Sequence, residues 1–93
     1  MLTKGFVRNI FSYNKETGIL SWRDHPKKYK IGTPAGRVYG SKDPALRVAM
    51  YGKTFLVHKI IYTYCYGDIG STRVSHINGN LLDNRISNLE LCD

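Results

Sequence analysis

Cysteine is scarce in this sequence. Cys65 and Cys92 are the only two, and they show no Cys-x-x-Cys spacing, so neither a structural zinc site nor a disulfide framework is indicated. Reduced thiols in a cytoplasmic setting are expected. Long apolar runs are lacking too: nothing approaches the roughly 20 residues that a membrane helix needs. Lys4 and Arg8 interrupt the N-terminal apolar pattern, so a secretory leader is not expected and the chain should stay where it is made. There is no repeat and no low-complexity tract. Acidic residues are few, with seven Asp and Glu against fourteen Lys and Arg, a net charge of +7.

What is present is enough for one folded unit. Hydrophobic residues make up 42% and aromatics 12% of 93 residues. That supplies the apolar surface a disordered segment lacks and supports one modest core, but not a second domain. The charge is unevenly spread. Between residues 23 and 59 stand nine basic residues, Arg23, Lys27, Lys28, Lys30, Arg37, Lys42, Arg47, Lys53 and Lys59, against Asp24 and Asp43. The remainder holds five basic and five acidic residues, so the whole excess lies in the middle of the chain, as a phosphate-binding surface requires. A solvated surface kept basic for solubility is the competing explanation.

Hydrophobic spacing gives the elements. Leu2, Phe6, Val7, Ile10 and Phe11 predict a short amphipathic helix over 3–11. Asn14 to Gly18 is turn chemistry, Ile19 to Trp22 a short strand, and Arg23 to Lys30 a basic loop broken by Pro26. Thr33 to Tyr39 reads as a strand interrupted at Gly36, and 40–44 as a polar turn. Leu46, Val48 and Met50 alternate with Arg47 and Ala49, Tyr51-Gly52-Lys53 turns, and Phe55 and Val57 continue the alternation, predicting a hairpin with one face inward and Arg47 on the other. From His58 to Tyr66 the period becomes helical, Gly67 ends the helix, and the helix should cover the sheet. Val74 to Ile77 reads as a strand and Asn78-Gly79-Asn80 as a turn into a second arm near Leu81 and Leu82. The fold class expected is α+β. Trp22, Tyr62 and Tyr64 sit in apolar patterns and are read as core, whereas Tyr29 and Tyr39, beside Lys28, Lys30 and Arg37, are read as nucleic-acid contacts.

The most informative stretch runs Val74-Ser75-His76-Ile77-Asn78-Gly79-Asn80, then Leu82-Asp83-Asn84-Arg85-Ile86-Ser87-Asn88-Leu89. It resembles the signature of HNH endonucleases, common among phage and intron-borne nucleases, in which a strand ends in a His and an Asn-Leu pair follows about a dozen residues later. Phe11 to Trp22 and Phe55 to Ile61 resemble corresponding parts of small phage HNH proteins, so the resemblance covers nearly the whole chain. It implies one HNH-like domain over 1–93: an N-terminal helix and first strand (1–22), a basic sheet plus helix (23–67) and an incomplete HNH motif of the ββα-metal type (68–93). The middle part is similar to the AP2 DNA-binding domain, which lays its sheet on DNA. A cytoplasmic location in a bacterial host follows from the same likeness.

The resemblance also implies a chemistry. Hydrolysing a phosphodiester needs a nucleophilic water, charge neutralisation at phosphorus and help for the leaving oxygen. His76 would be the general base, an imidazole with an ordinary pKa of about 6.5 being suited to take a proton near neutrality. Asn88 would hold the loop and fix His76. Asp83 and Asn84 are read as capping the next segment with their side chains. His58 is read as a structural residue at the helix start, and His25 as a basic-loop residue able to touch phosphate; neither is given a catalytic role. The family's divalent metal, magnesium or manganese, is expected only if the site is active. Its usual acidic ligand is replaced by Ser75, and the helix carrying the last ligand does not follow Leu89 within the sequence, so the metal ligands are unknown.

Three functions compete on these grounds. One is a protein that binds double-stranded DNA through Arg23, Lys27, Lys28, Lys30, Arg37, Lys42, Arg47 and Lys53, with cleavage weak or lost. The second is an active metal-dependent DNA endonuclease or nickase with His76 as base. The third is a protein-binding inhibitor or structural subunit built on the same scaffold.

Overall fold

Thr3 opens the first helix. Its Oγ1 accepts the Phe6 N–H at 3.2 Å, satisfying one of the donors that a helix start leaves orphaned, and α1 runs Lys4–Ile10. The computed structural model describes residues 2–39, 44–70 and 72–92, with Tyr39 described by its backbone alone. Lys42 and the turn expected at 40–43 lie outside the described residues.

The chain leaves α1 directly into β1 (Phe11–Asn14), which pairs antiparallel with β2 (Ile19–Trp22), Phe11 opposite Trp22 and Asn14 opposite Ile19. The turn between them was legible as chemistry; β1 was not, because its apolar residues also fit the helical spacing of α1. Arg23 to Lys30 is the expected irregular segment, ending in a 3-10 turn at Lys28–Lys30. Of the strand expected over 33–39, only β3 (Arg37–Tyr39) forms, while Pro34 makes an isolated bridge to Ser21. Proline has no N–H to give a ladder, so the extended run does not propagate through it.

β3, β4 (Ala45–Met50) and β5 (Lys53–Leu56) form an antiparallel meander in chain order. Its pleat separates two faces. Val48 is buried, with Leu46, Met50 and Phe55 packed on the core from the same face, whereas Arg37, Arg47, Ala49 and Thr54 share the other. The strand ends one residue earlier than its alternation suggests. Val57 is the first residue of α2 (Val57–Tyr66) and, with Ile60 and Ile61, belongs to that helix's buried stripe. Gly67 closes α2 at φ 107°, a left-handed backbone that glycine adopts without a Cβ penalty.

α2 is the central element, packed against α1, β4, β5 and the strand β6 (Arg73–His76). Val7, Phe11, Val57, Ile60 and Ile61 are essentially inaccessible. Complete burial of an aliphatic or aromatic side chain contributes about 1.5–3 kcal/mol, so this cluster holds the helices and sheet together. Trp22, Tyr62 and Tyr64 pack against it, as their apolar settings suggested.

The second arm of the last hairpin corrects the sequence reading. β6 pairs not with residues near Leu81 and Leu82 but with β7 (Leu89–Cys92), Val74 opposite Leu91 and His76 opposite Leu89. The Asn-Gly turn is only the first of several. Asn78 Oδ1 accepts the Asn80 N–H at 2.8 Å, and Asn80 Oδ1 accepts the Leu82 N–H at 3.1 Å. These side chains replace the ladder bonds a tight hairpin would have made, and the chain continues as a loop to a 3-10 turn at Ile86–Asn88. The result is an α+β architecture of two helices and small antiparallel sheets, with a short N-terminal helix before the basic sheet and a ββ hairpin after α2, matching the fold class expected.

Candidate nucleic-acid and hydrolytic site

His76 is the last residue of β6, facing inward and 9% exposed. Its Nε2 lies 2.7 Å from Asn84 Oδ1, a contact between buried side chains. An amide oxygen only accepts, so Nε2 carries the proton and the neutral ring presents Nδ1 as its unprotonated nitrogen. Asn84, 2% exposed, was read as a capping residue; the structure places it instead as the direct partner of His76.

The Asn84 loop is anchored from the other end of the chain. Tyr13 donates its hydroxyl to the Asn84 carbonyl at 2.6 Å, and burial pushes the Tyr13 pKa up to about 12, keeping that donor protonated. Gly18, at φ 76°, lies against the same peptide. A Cβ there would come within 2.5 Å of the Arg85 nitrogen and 2.7 Å of the Asn84 carbonyl carbon. The first hairpin is thus a clamp on the loop that holds His76.

Asn88 closes the loop from inside. Its carbonyl accepts the Ile77 N–H at 2.8 Å and its Oδ1 accepts the Asn78 N–H at 3.0 Å. Nδ2 donates to Asn78 Oδ1 and to the Asp83 carbonyl, both at 2.9 Å. Asn88 therefore ties the loop that leaves His76, whereas the bond to the imidazole itself comes from Asn84. Asp83 does cap locally: it accepts the Arg85 N–H at 3.4 Å and holds that guanidinium at 2.7 and 2.8 Å. Arg85 keeps its carboxyl well below the usual carboxylate range.

His58 also belongs to this site. Its ring lies 4.6 Å from that of His76, edge to face, and it is buried at the start of α2. Burial, then the neighbouring His76 and Arg47, lower its pKa to about 4, so at neutral pH it is an uncharged wall beside His76. Among the described residues, His58 Nδ1 and Asn84 Nδ2 are buried side-chain atoms without a hydrogen-bond partner, and both belong to groups touching His76. Buried polar side-chain atoms are in large majority hydrogen-bonded, so two unpaired ones beside a single imidazole set this region apart from the rest of the core.

The donors here do not by themselves fit a magnesium or manganese ion. Ser75 offers a neutral hydroxyl, its cross-strand partner Glu90 is the carboxylate that faces it, and Asp83 is engaged by Arg85. The described residues contain no group of three His, Cys, Asp or Glu placed to hold a metal. Magnesium requires several hard, preferably anionic oxygens in octahedral array, which this set does not provide.

The basic residues divide. Lys30, Arg37 and Arg47 line one cleft with Trp22 and His25. Lys27 and Lys28 are exposed in the neighbouring loop. Arg23 is exposed but donates to the Arg8 carbonyl at 2.9 Å. Lys53 projects on the opposite face of the sheet, beside Leu2 and Phe55. Tyr29 is 74% exposed.

Comparison with known proteins places this geometry. No curated protein matches the chain. Its fold is similar to that of the HNH homing endonuclease I-HmuI, with a TM-score of 0.59 and 24% identity over 88% of this chain and 45% of that one. The chain thus spans less than half the length of that protein. Residues 55–93 match the HNH endonuclease family profile. That range includes His58, the His76–Asn84 pair and the Asn88 loop lock, so the residues that build the site are those similar to HNH endonucleases.

Proposed function

We propose that this chain, acting as one HNH-like unit over residues 1–93, is a DNA-binding protein of the phage HNH endonuclease type whose phosphodiester cleavage is weak or lost. The observation that carries the reading is the imbalance of charge. Among the described residues the one ion pair is Arg85 with Asp83, so Arg23, Lys27, Lys28, Lys30, Arg37, Arg47 and Lys53 are in no ion pair with another described residue and can meet an external anion. The carboxylate that would make the His76 site a strong cation trap is replaced by Ser75. I-HmuI, similar in fold, is described as binding and cleaving DNA.

A second reading, an active nickase, is favoured by one feature. His76 retains a defined tautomer, with Nε2–H donated to Asn84 and Nδ1 left to take a proton from water. A base so oriented has its geometry set before substrate arrives.

Nicking of supercoiled plasmid with magnesium or manganese, alongside duplex binding at graded salt, separates the two readings. Binding that falls steeply with salt, weakened alike for all sequences by replacing Lys27, Lys28 and Lys30, without metal-dependent nicking, is the expected result. Ser75→Asp should then raise nicking, and His76→Ala in that background should abolish it. Absence of DNA affinity, or affinity indifferent to salt, refutes the proposal. Metal-dependent nicking by the unaltered chain, lost in His76→Ala, establishes the nickase instead.

A further inference from the structure

Arg37 and Arg47 are directly opposed partners on β3 and β4, so their side chains rise from the same face of the sheet. Like charges at directly opposed positions destabilise a sheet, and among the described residues neither arginine is in an ion pair. A surface kept basic for solubility gains nothing from that arrangement, since the same charges placed apart would serve equally well.

The face on which they meet is concave. The cleft, of about 340 Å³, is lined by Arg37, Arg47, Lys30, His25 and Trp22, with Ala49 leaving its floor low. His25 adds a donor: its Nδ1 accepts the Lys27 N–H at 2.9 Å, which puts the proton of the neutral ring on Nε2. The ring is fixed edge-on against Trp22 at 4.6 Å. Three cationic side chains and an imidazole N–H therefore line one cleft, with no carboxylate among the described residues of its lining. The complementary ligand has a compact negative charge and two or more free oxygens, which describes a phosphodiester gripped between guanidinium forks.

We propose that this cleft is a phosphate site in which Arg37 and Arg47 share one backbone phosphate of bound DNA, with Lys30 and His25 at its border. The occupant rests on the DNA-binding reading above; the anion site rests on the sheet register and the lining.

Two measurements on the full chain test this. The first is the salt dependence of duplex affinity for wild type, Arg37→Gln, Arg47→Gln and the double variant. A shared phosphate predicts that the log–log slope falls by about one in the double variant, with each single substitution removing only part of it. A fall of about two, meaning separate phosphates, or no change overturns the proposal. The second is thermal unfolding in sodium sulfate against sodium chloride at equal ionic strength. Sulfate should raise the wild-type midpoint more than that of the double variant. In chloride at low ionic strength, Arg37→Gln should not lower the midpoint, because it relieves the opposed charges. Should wild type bind no DNA, the proposed function fails; the cleft is then upheld as an anion site by a sulfate response reduced in the double variant and overturned by an equal response in both.

Discussion

Replacing Asn84 by alanine tests whether the site is built around His76 or merely contains it. In the wild-type background the substitution removes the 2.7 Å bond, a net loss of about 1 kcal/mol. It also strands the buried Nε2–H, at about 1–3 kcal/mol, but it abolishes Asn84 Nδ2, itself buried without a partner at a similar cost. These two nearly cancel, leaving a destabilisation of about 1 kcal/mol plus whatever the lost volume adds. With His76 already alanine the balance reverses. Asn84 then carries two stranded atoms, Oδ1 and Nδ2, and its removal should stabilise by about 2 kcal/mol before the same volume loss. The volume term largely cancels in the double-mutant cycle, so the coupling energy should be about 2–3 kcal/mol, near the top of the range for residues in contact. Urea unfolding of the four proteins measures it, provided the slope m is unchanged. Nitrogen chemical shifts of the imidazole should show the Nε2–H tautomer in wild type and a mixture in Asn84→Ala. Additivity to within about 0.5 kcal/mol, or an unaltered tautomer, would refute the claim that Asn84 orients His76.

Two further outcomes follow from the same geometry. Gly18→Ala should cost about 1–3 kcal/mol or more, since it combines a left-handed backbone with a Cβ driven into the Asn84–Arg85 peptide; urea midpoints check it, and Gly52→Ala, at φ 72° with no atom near the added Cβ, isolates the backbone share. His58, with its pKa lowered to about 4 in the fold against about 6.5 unfolded, takes a proton more readily in the unfolded chain. Its neutral burial therefore costs nothing above pH 6.5, and stability should fall progressively between about pH 6.5 and 4, by up to about 3 kcal/mol. His58→Phe should flatten that segment of the pH–stability curve; an identical curve would show that His58 is not the titrating group.

The elements whose residues must alternate or repeat to bury a face were legible in advance. Val48 and Arg47 lie on opposite faces because successive residues of a strand must, and the stripe at Ile60, Ile61, Tyr64 and Cys65 can turn toward the core only as a helix. β1 was hidden because Phe11 satisfies two periods at once: as the cap of α1 and as the first residue of a strand it is buried either way. The second arm was misplaced for a different reason. Asn-Gly and the Asx turns after it share one chemistry, and only the tertiary partners decide whether a two-residue hairpin or a longer loop results.

For the candidate site, the motif singled out His76 and Asn88, and their spacing has a mechanical meaning. Asn88 carries no listening role toward the imidazole; it fastens the backbone on either side of Asn78, so that the loop can be long without being loose. What the spacing could not carry was the identity of the residue facing the ring. Asn84 reaches His76 only because Tyr13 and Gly18, more than sixty residues earlier, fix its peptide from outside the loop. His58 reaches it only because β5 passes straight into α2. Neither approach has a local pattern, since each is a contact between segments whose sequences are independent. A histidine that depends on partners from three separate segments is one whose orientation reports on the whole fold. On the proposed reading the neutral Ser75 hydroxyl is one source of weak cleavage, and Ser75→Asp should raise nicking in a loop whose geometry these partners already fix.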